Sequence, residues 1–270
     1  MSWDQGGWQE ARPPYLAVGL LSAAALAYEV LLTRLFAIIQ WHHFAYMMIS
    51  VAMLGWGAAG TLVAILRAPL LGRQHGVFAA AAAMFGVSAV VCFLLAQAIA
   101  FNPLEAVWDP RQFLRLGLIY LCLSVPFLSA AVALCLAFSR FGAEAPRLYS
   151  ADILGAGLGA MGVVVLLMAL PPTRALLAVA GVGLAAAALA LGLRQRLAWV
   201  VLAAALLLPL APGHWVRLQP SQYKDQAQTL DILGTRVVAE RSGPLGLLTV
   251  VESRQVPLRH APGLSLAAKR

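Results

Sequence analysis

Apolar residues gather in seven stretches separated by short breaks of arginine, proline and small polar residues. The stretches run near Tyr15–Ile39, Phe44–Leu66, Gly76–Phe101, Phe113–Phe138, Tyr149–Leu170, Thr173–Leu193 and Leu197–Ala211. Most are about 20 residues or longer, the length that spans a bilayer as a helix. They are apolar on every side rather than alternating, which excludes the short two-period strands of a transmembrane barrel. The pattern therefore predicts an all-α polytopic membrane protein of about seven transmembrane helices. The seventh stretch is the exception: its 15 residues reach only about 22 Å as a helix, short of a roughly 30 Å hydrocarbon core. Pro126 falls inside the fourth stretch, where a missing backbone donor predicts a kink. Pro171-Pro172 stops the fifth.

Composition closes off other classes. Of 270 residues, 61% are apolar and 11% charged, whereas a soluble domain averages about 25% charged. The net charge is +8, but nine of the 19 basic residues sit in or beside the short loops. There they orient helices toward the cytoplasm, so the lipid bilayer, not nucleic acid, is the expected partner. Loops two, four and six carry Arg67, Arg73, Arg140, Arg147, Arg194 and Arg196. The first loop has no arginine, the third has Arg111 with Arg115 at its edge, and the fifth only Arg174. The even loops and the N-terminus are thus expected inside, and seven spans would place the C-terminal tail outside. A cleavable signal is not expected, because the first apolar run is too long for one.

Three units follow: an N-terminal segment (1–14), a helical membrane domain (15–211) and a polar tail (212–270). In the tail, Arg236-Val-Val-Ala-Glu240 and Leu247-Leu-Thr-Val-Val-Glu-Ser253 flank the turn Ser242-Gly-Pro-Leu-Gly246, which predicts a β-hairpin. Two strands alone are marginal in water, so the tail reads as the start of an incomplete domain.

Few residues suggest chemistry. Gly55-Trp-Gly-Ala-Ala-Gly60 fits G-x-G-x-x-G, but a dinucleotide needs that motif at a strand-to-helix turn. Inside an apolar span, Gly55, Gly57 and Gly60 read as helix-packing positions, as do Gly155 and Gly159 in the fifth stretch; the two segments are candidates to touch each other. Glu29 and Arg34 lie within the first span, about 140° apart around the helix. Intramembrane charges face the protein interior, and Asp152 and Tyr28 are candidate partners. One reading is a buried ionic staple fixing helix register, which is favoured; the other is a proton or substrate relay. His42 and His43 read as interfacial polar residues beside Trp41, since a metal needs further ligands. Cys92, Cys122 and Cys135 lie in apolar stretches without metal or disulfide spacing. No metal or cofactor is expected.

Leu26-Ala-Tyr-Glu-Val-Leu-Leu-Thr-Arg-Leu35 resembles the Y-E-V-x-x-T-R-L signature of membrane proteins fused to spermidine synthase-like domains. His43-Phe-Ala-Tyr46 with the following glycine-rich span, and Arg147-Leu-Tyr-Ser-Ala-Asp-Ile-Leu-Gly-Ala156, resemble other stretches of that family. In the tail, Ser221-Gln-Tyr-Lys224, Glu240-Arg-Ser-Gly-Pro-Leu-Gly246, Thr249-Val-Val-Glu-Ser253 and Ala261-Pro-Gly-Leu-Ser265 are similar to the linker and hairpin that lead into its aminopropyltransferase-like domain. The resemblance implies polyamine biosynthesis and a transferase partner, in the same chain or a separate one. The sequence stops at Arg270, before the family's nucleotide loop and acidic residues, so no catalytic residue carries over. A membrane-anchoring part, inactive alone, is the expectation. A small-molecule transporter using Glu29, Arg34 and Asp152, or a structural membrane subunit, is the alternative.

Overall fold

The computed structural model describes residues 13–40, 42–66, 74–102, 105–211, 216, 218, 230–243 and 246–253, with backbone alone at 42–45, 74, 75 and 106. Within these residues the chain forms seven α-helices: α1 (Tyr15–Ile39), α2 (His42–Ile65), α3 (Gln74–Ala98), α4 (Arg111–Arg140), α5 (Ala145–Ala169), α6 (Pro172–Leu191) and α7 (Arg196–Leu207). Two strands follow, β1 (Arg236–Ser242) and β2 (Leu247–Glu252). The first six helices are long and apolar enough to cross a membrane. The protein is a polytopic helical membrane protein carrying a small antiparallel hairpin.

Buried aromatics explain how the bundle closes. Tyr28 of α1 is fully buried, its ring 5.9 Å from that of Phe85 on α3 and 5.3 Å from that of Phe127 on α4. A phenol so placed must satisfy its hydroxyl, and Tyr28 donates to the Ala89 carbonyl of α3 at 3.1 Å. One turn pair further on, Phe36 meets Phe93 edge-on at 6.4 Å. Helix α1 thus sits centrally, packed on α5 and α6 and flanked by α2. The opposite faces of α2, α5 and α7 expose Met53, Leu158, Met161, Val165 and Leu206. In lipid these apolar surfaces are solvated by hydrocarbon.

Where helices come closest, glycine makes room. A Cβ on Gly155 would strike the backbone of Gly19, and one on Gly159 the backbone of Ala23. Both numbers rise together along the two helices, so α1 and α5 run parallel. Gly55 similarly admits α4, where a Cβ would lie 2.6 Å from Phe127 Cβ and 2.9 Å from the Ser124 carbonyl. Gly57 and Gly60 have nothing within 4 Å. They stand roughly 200° and 140° around α2 from Gly55, so the three glycines cannot share one contact. The sequence expectation for Gly57 and Gly60 is corrected on that ground. Gly155 and Gly159 face α1, and Gly55 faces α4, while the two segments approach each other where Trp56 of α2 and Asp152 and Ala156 of α5 line one cavity.

Helix α4 continues without a break through Pro126, which is itself buried. Its N-terminal end closes the third loop: Gln112, fully buried, accepts from the Asn102 backbone N–H at 3.1 Å and donates to Glu105 at 2.9 Å. Arg115 donates to the Ala100 carbonyl at 2.8 Å. The loop is thereby tied down.

Helix α7 is short. With the 3-10 turn Leu208–Leu210 it rises only about 22 Å, and the Ala205 carbonyl abuts Gly181, midway along α6. The chain then stays with the bundle, since Val216 is 2% exposed within the main core and Leu218 packs against it. The polar composition beginning at 212 therefore does not mark the end of packing. Further on, β1 and β2 pair from Arg236 opposite Glu252 to Ser242 opposite Leu247, with a bulge between Val237 and Ala239. Arg236 closes the open end through an ion pair to Glu252 at 2.7 Å. The expected hairpin is present.

Candidate functional site

Polar groups recur on α1 at seven-residue spacing, Tyr15, Ser22 and Glu29. Seven residues make almost two full turns, so these side chains share one face. Each meets a different environment along the bilayer axis. Tyr15 donates its hydroxyl to Glu144 at 3.0 Å, and Arg147 forms an ion pair with the same carboxylate at 3.0 Å. About 10 Å deeper, the Ser22 hydroxyl donates toward Asp152 Oδ1 at 2.5 Å and also lies 2.9 Å from the Val18 carbonyl. One proton thus faces two acceptors.

Glu29 lies a further 10 Å or so along α1, past the midpoint of the helix. Its carboxylate has no hydrogen bond or ion pair among the described residues. With Ser22 and Asp152 it lines a cavity of about 230 Å³ between α1, α2 and α5, completed by Ala25, Leu26, Ala156 and Trp56. Trp56 is 37% exposed and forms the α2 side. A cavity of this size has room for several waters, and two of its lining residues are carboxylates within helices long and apolar enough to cross a membrane.

Glu29 and Arg34 do not pair with each other. Arg34 turns to the hairpin, donating through a terminal nitrogen to the Gly243 carbonyl at 3.2 Å. Its Nε is buried without a partner among the described residues. Tyr28 is not a partner of either charge, because its hydroxyl is bound to Ala89 on the opposite flank. The ionic staple favoured from sequence is therefore absent among the described residues: Arg34 bonds a backbone carbonyl of the hairpin, and no described side chain pairs with the Glu29 carboxylate. Asp152 does join the site, held by Ser22.

Ser22 and Trp56 escape a sequence reading. A lone serine in a helix bonds back to the preceding turn, as Ser22 does to Val18, and only its seven-residue offset from Glu29 marks it. Trp56 sits between Gly55 and Gly57, which draw attention to packing. His42 and His43 are described in backbone only, and Trp41 lies outside the described residues. Among the described residues no three His, Cys, Asp or Glu side chains converge as metal ligands, and the three cysteines are free thiols.

No family model matches the chain, and neither the curated proteins nor the solved structures contain one significantly similar to it.

Proposed function

We propose that this chain is the membrane-embedded part of a spermidine synthase-like protein, holding at one membrane face the aminopropyltransferase-like domain that its hairpin opens. One observation carries the reading. Arg34 belongs to the Y-E-V-x-x-T-R-L run of α1, and it bonds Gly243 in the Glu240–Gly246 run of the hairpin, 209 residues away. The third resembling run faces the first across the cavity that Asp152 and Ala156 line together with Leu26 and Glu29. Stretches that the resemblance selects one by one thus come together in space. A two-stranded hairpin with open edges is marginal alone, and the Arg34 bond supplies it with a fixed seat.

The loop arginines support an N-terminus in the cytoplasm. Arg34 lies near the α1 end opposite Tyr15, so the hairpin then faces the other side. A domain using cytoplasmic nucleotides requires the reverse orientation, and reporter fusions after Gly72 and after Ser253 decide between them. The function itself is tested by isolating the protein from its own membranes. An aminopropyltransferase-like domain, in the same polypeptide or copurifying with it, should appear by mass spectrometry together with spermidine formation. Its absence overturns the proposal.

A second reading, a small-molecule transporter, is favoured by the cavity between α1, α2 and α5, with unpaired Glu29 on its wall.

A further inference from the structure

We propose that the apolar groove between α1, α5 and α6 holds one acyl chain of a phospholipid, with the lipid phosphate on Arg147 at its mouth. The inference stands apart from the anchoring reading and holds whichever domain the hairpin carries.

The groove follows from how three helices meet. Helices α5 and α6 each pack along α1 but touch each other far less, so a trough of about 590 Å³ is left between them with α1 as its floor. Gly162 on α5 and Ala178 on α6 add no bulk to its walls. Leu154 and Leu158 on its rim are exposed, so the trough opens sideways, toward lipid. Along α1 its lining runs from Tyr15 to Ala27, about 18 Å, and Ala27 is the central residue of that helix. One leaflet contributes about 15 Å to the hydrocarbon core. The trough therefore begins at one bilayer face and ends near the midplane, the reach of a single acyl chain from one leaflet.

Charge says what that chain belongs to. Among the described residues Tyr15 is the one polar side chain of the lining. It donates to Glu144, and Arg147 pairs with the same carboxylate oxygen at 3.0 Å. Arg147 also heads the groove stripe of α5, since Ala151, Leu154, Leu158 and Gly162 of the lining follow it at spacings of three and four residues, which puts them on one helix face. Its side chain is 76% exposed, and a guanidinium has donors to spare beyond the one given to Glu144. That fork suits a phosphate oxygen pair. Hydrocarbon inside the trough gains little over hydrocarbon outside it, because lipid tails are as apolar as leucine. Selection of one lipid among its neighbours therefore rests on the phosphate, and the trough fixes where the chain lies.

The test uses the chain purified in detergent and freed of lipid. It is titrated with dioleoyl phosphatidylglycerol or with dioleoylglycerol, which has the same chains and no phosphate. The phospholipid should give a saturable rise in Tm, roughly 5–10 °C at hundredfold excess over Kd. Dioleoylglycerol should need at least about tenfold more for the same rise. Gly162→Phe fills the trough while its Cβ meets nothing within 4 Å, and it should weaken the apparent affinity for phospholipid at least about tenfold. Gly157→Phe, equally unobstructed on the same helix but outside the lining, should leave it unchanged. Arg147→Gln should erase the difference between the two lipids. No saturable shift overturns the proposal, as do an undiminished shift in Gly162→Phe and equal potency of the two lipids on the parent chain. A dimer that Gly162→Phe dissolves assigns the trough to a second copy and overturns it as well. Should Gly162→Phe fail to fold, phosphatidylglycerol carrying a diazirine on its acyl chain tests the parent directly. Labels read by peptide mass spectrometry should fall around Leu158 and Val163 and diminish when unlabelled lipid competes. Labels spread evenly over outward residues such as Met53 and Leu206 overturn the site.

Discussion

Placing a single methyl group between α1 and α5 tests the packing on which the cavity depends. In Gly155→Ala the new Cβ would lie on the Gly19 backbone at well under 3.0 Å, against the 3.4 Å or more of ordinary contact. Backbone cannot rotate aside as a side-chain tip does, so the two helices must separate. They run parallel and share a second close approach at Gly159 and Ala23, hence separation at one point loosens both. Overpacking of this kind costs about 1–3 kcal/mol. For a chain of this size each kcal/mol moves Tm by about 2–4 °C, so a loss of roughly 2–12 °C is expected in detergent. The control is Gly157→Ala on the same helix, where a Cβ meets nothing within 4 Å. It should be neutral or gain up to about 1 kcal/mol from helix propensity. Separation also pulls Ser22 from Asp152. Equal melting temperatures for the two variants would refute the reasoning.

Ser22→Ala removes the hydroxyl donor of Asp152 and should cost about 1–3 kcal/mol in thermal denaturation, most of it recovered when Asp152→Leu is added, since an orphaned acceptor costs more than an absent pair. Glu29 and Arg34 share no partner, so Glu29→Gln and Arg34→Met should add within about 0.5 kcal/mol. A coupling well above that value would restore the ionic staple that the sequence suggests.

Periodicity and length reveal the helices because each span must satisfy its backbone internally, and lipid leaves no alternative for runs such as Tyr15–Ile39. The hairpin is legible for the same kind of reason: Ser242-Gly-Pro-Leu-Gly246 leaves few conformations other than a turn. What sequence does not carry is direction around a helix once every side is apolar. Gly55, Gly57 and Gly60 look alike as letters, yet only Gly55 faces α4. The same loss of phase hides that Tyr28 and Glu29, adjacent in sequence, serve opposite flanks of α1. Arg34 shows the other limit. Its intramembrane charge is conspicuous, but its partner is a backbone carbonyl 209 residues away, and a carbonyl leaves no mark in composition. A charged residue announces that it needs a partner without saying which.

The purified chain should bind no S-adenosylmethionine-type nucleotide and transfer no aminopropyl group by itself. Such a ligand is held by backbone amides left free at a strand-to-helix turn, usually with an acidic partner for the ribose about 20 residues later. The glycine runs here lie within α2 and α5, and amides in a helix interior already donate to the carbonyl four residues back. Within the described residues the only sheet is the two-stranded hairpin, and no helix follows β2 there to offer an N-terminus. Micromolar affinity corresponds to about 8 kcal/mol of binding free energy, which neither the packed glycine faces nor an exposed hairpin supplies to a nucleotide. Calorimetry with S-adenosylmethionine and its decarboxylated form should therefore register no saturable heat, and a putrescine assay should yield no spermidine. Micromolar binding, or turnover by the purified chain, would mean that a nucleotide cradle exists where α-helical hydrogen bonding leaves no free amide to build one.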